Sequence, residues 1–524
     1  MSPLVEKDGR VENRQGPVTP NKGQLRSVGE GFYVSGVNES ADPALERRVV
    51  SKMGRHIIPL IFTLCPFALF ALLCLMLGLT REAKFDADLL SYLDRSNIGN
   101  AETAGMKKAL HLSSGDYQWL LTIFYLAYIV FEPFTLLWKA FPPHIWASLA
   151  VFGWGVALRF LLGAFEAGFG PGVPYYLSLF YLRHELGLRT GCFLSAAPLA
   201  ACFSGALAYG ITHGHPGIPS WRVLFLVEGL PTIVMAGTAY FFLPDTPENA
   251  RFLNEEDKLV TQARGVRQVG EDLPHRLGKI VWKETLVTVI DPKNLLTALM
   301  YFSTNIGFSS LPVYLPTIIS QFGFSASNAQ GLTAPPYFLA FLMVIFSTYI
   351  SDRTQQRGIV IATLSLIGSI GYIILATTHT VGARYTGVFL AAAGVYPAII
   401  NVLPWCLNNQ GSDTKRATGI VVLNLIGQCS PLLGTRLYPA TEAPLYRKGQ
   451  WVCAAFLIFN GFLAVILRTL LAWENRKLDA KYGRRPTDTD AGTGELPSAM
   501  TYARTSEEKF VGTENDGPMF RYIL

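Results

Sequence analysis

The chain has 524 residues, is 50% hydrophobic and only 16% charged, and has a mean hydropathy of +0.29. A soluble chain of this length would show more charge and shorter apolar runs, so a soluble globular class is excluded. The net charge of +6 gathers in short loops between apolar runs, which reads as membrane topology and not as a nucleic-acid surface.

Residues 1–46 are polar and rich in Gly, Pro, Asn and Ser, and they are expected to form a disordered cytosolic tail. No h-region is visible there, so the first span must act as the insertion signal. The sequon at Asn38 falls in that tail and is expected to go unused. Arg47, Arg48, Lys52 and Arg55 precede a first apolar run at 57–79. Further candidate spans follow at 117–138, 145–182, 191–211 and 223–243. A second set lies at 295–318, 335–350, 359–377, 385–404, 418–437 and 451–471. A helix of about 20 apolar residues crosses about 30 Å of hydrocarbon. Between the two sets lies a polar stretch at 244–294, and residues 473–524 form a charged tail expected to be disordered and cytosolic.

The basic loops decide the orientation. "RHELGLR" (183–189), "SDRTQQRG" (351–358), "SDTKRATG" (412–419) and "ENRKLDAKYGRR" (474–485) belong to one side, whereas "QFGFSASNAQGL" (321–332) carries no charge. The positive-inside rule puts the basic set, both termini and the central stretch in the cytosol. The loops at 139 and 183 then share a side, so 145–182 must cross twice. Its 38 residues allow about 19 per crossing with no turn, the lower limit for a helix. As one helix it would be about 57 Å long, far beyond the bilayer. Residues are therefore expected to be missing near Gly153, Gly155 and the Ala157–Leu158 junction.

"LDRSNIGNAETAGM" (93–106), "LRFLLGAFEAGFGPGVPYYLSLFY" (158–181), "WRVLFLVEG" (221–229), "LPDTPENARFL" (243–253) and "SDRTQQRG" (351–358) together resemble the major facilitator superfamily. More specifically they resemble its anion:cation symporter branch, the fungal allantoate and nicotinate permeases, from about Arg47 to about Lys481. The resemblance implies an all-α polytopic membrane protein of about twelve helices: one six-helix bundle over 47–243, a cytosolic central loop at 244–294 and a second bundle over 295–472. It also implies alternating access around a central cavity and transport of a small organic anion, usually with a proton. The expected setting is a fungal plasma membrane, with both termini cytosolic and the protein monomeric. The chain departs from the family twice. About two dozen residues near 66–88 look inserted, and the end of helix three with the loop to helix four looks deleted at 156–158. Helices one, three and four are accordingly expected to be irregular. An unspliced intron and a skipped exon would produce both changes, and so would a degenerate copy.

Arg159 and Glu166 are spaced i, i+7, nearly two turns, and so share a helix face. A charge at mid-bilayer costs at least about 2.5 kcal/mol, so such side chains face a wet cavity or pair with one another. Arg159 is a candidate clamp for a carboxylate and Glu166 a candidate proton carrier; the alternative is a pair that only braces the bundle. The resemblance puts Asp94 and Arg95 on the cavity, as a second proton carrier and anion ligand. Glu132 before Pro133 is expected to hydrogen-bond between helices near a kink. In the second half, Asn305, Asn401 and Trp405 are candidate substrate contacts, Trp405 by stacking on a flat ring, with helix bridging as the competing role. Asn408 and Asn409 share that reading, while Asn424 and Gln428, at i, i+4, are expected to pack. Asp352, Arg353 and Arg357 are expected to bridge helix ends as a conformational latch.

All seven cysteines lie in apolar segments, with no C-x-x-C pair and no metal-ligand spacing. With no G-x-S-x-G, no Walker A pattern and no metal cluster, neither an enzyme nor an ATP-driven pump is expected, and no cofactor is called for. Two competing readings keep the fold: an exporter or compartment transporter of a specialised metabolite, and a non-transporting receptor or inactive paralogue.

Overall fold

The computed structural model describes residues 26–28, 31–33, 43–62, 98–102, 104–136, 142, 144–146, 166–167, 170, 172–181, 185–213, 219–224, 227, 239–241, 243–261, 282–410, 413–482 and 521–524. A two-stranded antiparallel hairpin, β1 (Arg26–Val28) and β2 (Gly31–Tyr33), lies in the segment expected to be a disordered tail. The rest is helical. α1 (Pro43–Phe62) leads in, followed by α2 (Met106–Ala109) and α3 (Ser114–Phe131). α3 opens on a capping box in which Ser113 accepts from the Asp116 N–H and the Asp116 carboxylate accepts from the Ser113 N–H. It ends two residues before Pro133, where the backbone tightens into a 3₁₀ turn, Glu132–Leu136. α4 (Gly172–Phe180), α5 (Leu186–Leu194) and α6 (Ala196–His213) complete the described part of the first half.

The second half runs α7 (Trp282–Ile290), α8 (Pro292–Ser320), α9 (Ala326–Gly331), α10 (Ala334–Thr354), α11 (Arg357–Thr377), α12 (Val381–Asn408), α13 (Asp413–Gly427), α14 (Ser430–Gly434) and α15 (Arg447–Tyr482). Among the described residues, six helical runs are long and apolar enough to cross a membrane, at 186–213, 327–354, 357–377, 381–408, 414–434 and 447–481. Each overlaps a span expected from the sequence. α8 covers the run expected at 295–318 but buries Thr297, Ser303, Thr304, Asn305, Ser309 and Ser310, as suits a helix enclosed by others and not by lipid. On α10, by contrast, Phe338, Leu342, Phe346 and Tyr349 are exposed at three- and four-residue spacing, an apolar stripe that faces outward toward lipid.

α11 and α12 approach most closely. A Cβ on Gly394 would overlap the backbone of Gly368, and one on Gly371 would overlap Ala391 N. Without a hydrophobic drive between helices in lipid, such close approach supplies the packing energy. Pro312 and Pro316 lie inside α8, and Pro397 and Pro404 inside α12, so each helix has gaps in its hydrogen-bond ladder. Gly99 of the first half packs on the carbonyls of Pro312 and Val313. One apolar cluster runs through both halves, from Val49, Met53 and Phe124 to Trp405 and Leu471.

Residues 147–165, which hold most of the first crossing expected in 145–182, and the inserted-looking stretch at 66–88 lie outside the described residues, whereas α4 falls within the second crossing. The tail needs correction. The run 473–482, "WENRKLDAKY", contains good helix formers and no Gly or Pro, so α15 simply continues through it to Tyr482. Farther on, Arg521–Leu524 are packed against the bundle, with Tyr522 buried. The central segment also has form: it contains α7 and a helical run at 255–261, where Lys52 of α1 pairs with buried Asp257.

Candidate functional site

Among the described residues, the two halves meet along two seams. In one, α5 and α6 lie against α10. Glycines make the contact possible: a Cβ on Gly191 would fall 2.5 Å from Thr348 Cγ2, and one on Gly205 would overlap Thr333 Oγ1. At one end of this seam α5 begins at Leu186 without a side-chain cap. The Asp352 carboxylate fills that gap by accepting the Leu188 N–H through one oxygen and pairing with Arg357 through the other. The negative charge thus sits at a helix N-terminus, where the dipole favours it. Gly187 leaves room for this group, since a Cβ there would collide with both Asp352 and Arg357. Arg357 is fully buried. Arg353 is not in the cluster: it turns outward and donates to the Tyr349 hydroxyl at 2.9 Å. Of the three residues expected to form a latch, Asp352 and Arg357 thus form a pair that also takes up a backbone N–H, and Arg353 stands apart.

Near the other end of this seam, Asn100 donates to Ser204 Oγ at 2.8 Å, and Gln330 donates to the Asn100 carbonyl at 3.1 Å. In the second seam α14 meets α3. There Thr122 and Thr435 hydroxyls lie 3.4 Å apart. Farther along, the 3₁₀ turn at Glu132 packs on α13.

Two carboxylates are buried beside this second seam. Glu132 is 0% exposed and Glu166 is 2% exposed. Their elements touch, because Thr135 Oγ1 donates to the Ala167 carbonyl at 3.0 Å. The Glu166 carbonyl accepts from Gly170 N at 3.2 Å, carrying the chain toward α4, all of whose residues are buried. Arg159, Asp94 and Arg95 lie outside the described residues.

The second-half candidates are used between helices. Asn305 Nδ2 donates to the Gly427 carbonyl at 3.0 Å and faces Gln428 Oε1 at 3.4 Å. Asn401 Nδ2 donates to Ser347 Oγ at 3.1 Å and to its own-helix Pro397 carbonyl at 2.8 Å. The Trp405 indole donates to the Ile523 carbonyl at 2.8 Å. Helix bridging, the competing role, is thus the one the Asn305 and Asn401 donors perform in this conformation, while the Trp405 donor holds the 521–524 segment. Asn424 donates to Ile420 O within its own helix.

An aromatic set that sequence reasoning missed lies between α8, α10 and α12. Phe308 and Tyr396 ring centroids are 5.0 Å apart, and Tyr337 meets Tyr396 edge-on at 5.7 Å. No sequence spacing links these positions; only the fold brings them together. Among the described residues no group of His, Cys, Asp and Glu is arranged to hold a metal.

Outward apolar stripes, helices long enough for the bilayer and two halves closing on buried ionisable groups define a multi-pass membrane carrier. A family model described as Major Facilitator Superfamily matches residues 87–435, and the chain belongs to that superfamily of transporters. It is 34% identical over 416 residues to the MFS transporter prlL of Fungal sp. (strain NRRL 50135), with 74% of this chain and 83% of that protein covered. It is 31% identical to the high-affinity nicotinic acid transporter of Saccharomyces cerevisiae, over 83% of this chain and 80% of that one. Among solved structures, a bacterial homolog of the human lysosomal transporter Spinster aligns with a TM-score of 0.53 at 16% identity, covering 82% of this chain and 99% of that one. The Escherichia coli fucose:proton symporter FucP aligns with a TM-score of 0.50 at 13% identity, covering 72% and 97%. At such identities these two likenesses speak for the fold alone.

Proposed function

We propose that the protein is a proton-coupled symporter that imports a small organic anion across the plasma membrane by alternating access, with both termini cytosolic and each monomer acting alone. The observation that carries this reading is Glu166, a carboxyl group 2% exposed beside the Glu132 turn and close to a seam between the halves. A carboxylate removed from water tends to hold its proton until a change of surroundings releases it, which is what a proton carrier requires. Asp94 is the second carrier in this reading, and Arg159 and Arg95 hold the substrate carboxylate through bidentate contacts. Asn305 and Asn401 hold neighbouring helices together, and Trp405 holds the 521–524 segment. The pair Asp352–Arg357, seated on the start of α5, latches the closed arrangement at that end.

Nicotinate is the first substrate to try, because a relative of similar length is named a nicotinic acid transporter. A flat aromatic acid also suits a protein with clustered Phe308, Tyr337 and Tyr396. The test is uptake of labelled nicotinate and of aliphatic carboxylates at pH 5 and pH 7, with and without a protonophore. Uptake that ignores both pH and protonophore would overturn the coupling.

A further inference from the structure

Residues 521–524 are held against the bundle by a set of directional bonds. Asn409, at the end of α12, accepts from the Ile523 N–H at 2.8 Å and donates to the Ile523 carbonyl at 3.1 Å. Asn475 of α15 does the same one residue earlier, accepting from Tyr522 N at 2.8 Å and donating to Tyr522 O at 2.8 Å. Each carboxamide thus satisfies both backbone groups of one residue, as a neighbouring strand would. The Trp405 indole adds a second donor to the Ile523 carbonyl. Arg521 pairs with Asp479 at 2.7 Å, and the Tyr522 hydroxyl accepts from Lys293 at 3.2 Å. The Leu524 carbonyl accepts from Gly358 N at 3.3 Å. That N–H belongs to the first turn of α11, whose cap residue Gln356 offers no side-chain bond, so Leu524 supplies a missing acceptor.

We infer that the ends of α8, α11, α12 and α15 form a receptor groove for an extended segment, that Arg521–Leu524 is its occupant, and that occupancy pins the last turn of α12. Recognition works mainly through the main chain, with Tyr522 as the buried anchor. The mechanical consequence follows from Pro404, which removes one rung of the α12 ladder just before Trp405 and Asn409. The turn after that proline has one tie fewer to the helix before it, and in this structure the segment ties it to α11 and α15. α12 also touches α5 across the seam, so the tie bears on how the halves separate at this end.

The test is hydrogen exchange on the purified full-length protein, followed over 405–410 and over 359–377. Deleting 521–524, or making Ile523→Pro, which removes the single N–H that Asn409 accepts, should speed exchange over 405–410 about tenfold, the effect of losing one or two net hydrogen bonds. Exchange over 359–377 should stay slow. The peptide acetyl-Arg-Tyr-Ile-Leu-amide, added to the deleted protein, should restore protection, and the scrambled acetyl-Leu-Ile-Tyr-Arg-amide should not. Should the deletion loosen 359–377 as well, the Ile523→Pro variant decides the matter. Unchanged exchange over 405–410 in that variant, or equal rescue by the scrambled peptide, would overturn the inference.

Discussion

The Asp352 carboxylate accepts the backbone N–H of Leu188, a residue 164 positions earlier and in the opposite half of the protein. The bond joins the halves through a helix N-terminus that has no cap of its own, and the same carboxylate neutralises buried Arg357. Asp352→Ala should therefore leave a buried unpaired cation and an open helix start, a loss of about 3 kcal/mol or more. Cys192 lies four residues along α5 and is partly buried. Its alkylation rate by a maleimide, read by site-resolved mass spectrometry, should rise in Asp352→Ala. Arg353→Ala, which removes only an outward contact with Tyr349, should leave that rate unchanged.

Glu166→Gln should separate coupling from binding. If Glu166 carries the proton, the variant still exchanges labelled nicotinate against unlabelled nicotinate across vesicles. Accumulation driven by an imposed pH gradient should fall about tenfold or more, since the amide cannot titrate. Retention of full gradient-driven accumulation would assign Glu166 to packing alone.

Asn305→Ala should cost about 1 kcal/mol of stability, typical of one hydrogen bond between membrane helices, through loss of the bond to the Gly427 carbonyl. Competition by a panel of carboxylates should keep its order. A changed order would instead give Asn305 a direct hand in choosing the substrate.

Gly394→Ala should destabilise by about 1–3 kcal/mol, because the new Cβ would meet the backbone of Gly368 and the Leu364 carbonyl, neither of which can turn aside as a side chain would. Gly382→Ala, where nothing lies within 4 Å, is the control and should be neutral or slightly stabilising. Thermal melts of the purified variants in one detergent make the comparison.

The Lys52–Asp257 contact predicts a pH dependence. Hydrogen bonding from Lys52 and from Asn254 N holds the Asp257 carboxyl below its usual value against the opposing effect of burial. Its contribution to stability is then fully present above about pH 4, the unfolded value, and is lost as pH falls through the lower folded value. Asp257→Asn should lower the melting temperature at pH 7, and the gap to the unsubstituted protein should close toward pH 3. A gap independent of pH would show that the loss is steric.

Much of the fold was legible because hydrocarbon imposes one rule on every crossing. The apolar run at 359–377 could only be a helix, and α11 occupies 357–377. Buried polar positions such as Asn305 and Asn401 were legible as exceptions to that rule, but their partners were not. Gly427 and Pro397 offer backbone carbonyls, which no sequence pattern marks. The same holds for Asp352: its motif pointed to a latch, while the Leu188 N–H is a group every non-proline residue has. The segment at 521–524 was read as part of a polar tail because recognition by Asn409 and Asn475 depends on main-chain geometry and not on composition. The small-residue contact of α11 with α12, at Gly368, Gly371, Gly387 and Gly394, was not read from the sequence, because only the helix crossing turns those positions into a surface.

The two prolines near the end of α8 give that helix a scored line. Pro316 has no N–H to offer the Pro312 carbonyl, and a Cβ on Gly99 would lie 3.1 Å from that oxygen. A rod already missing a rung tilts above the score without breaking further bonds. The bare backbone of Gly99 lets the first half seat against α8 at the point where the ladder of α8 is weakest.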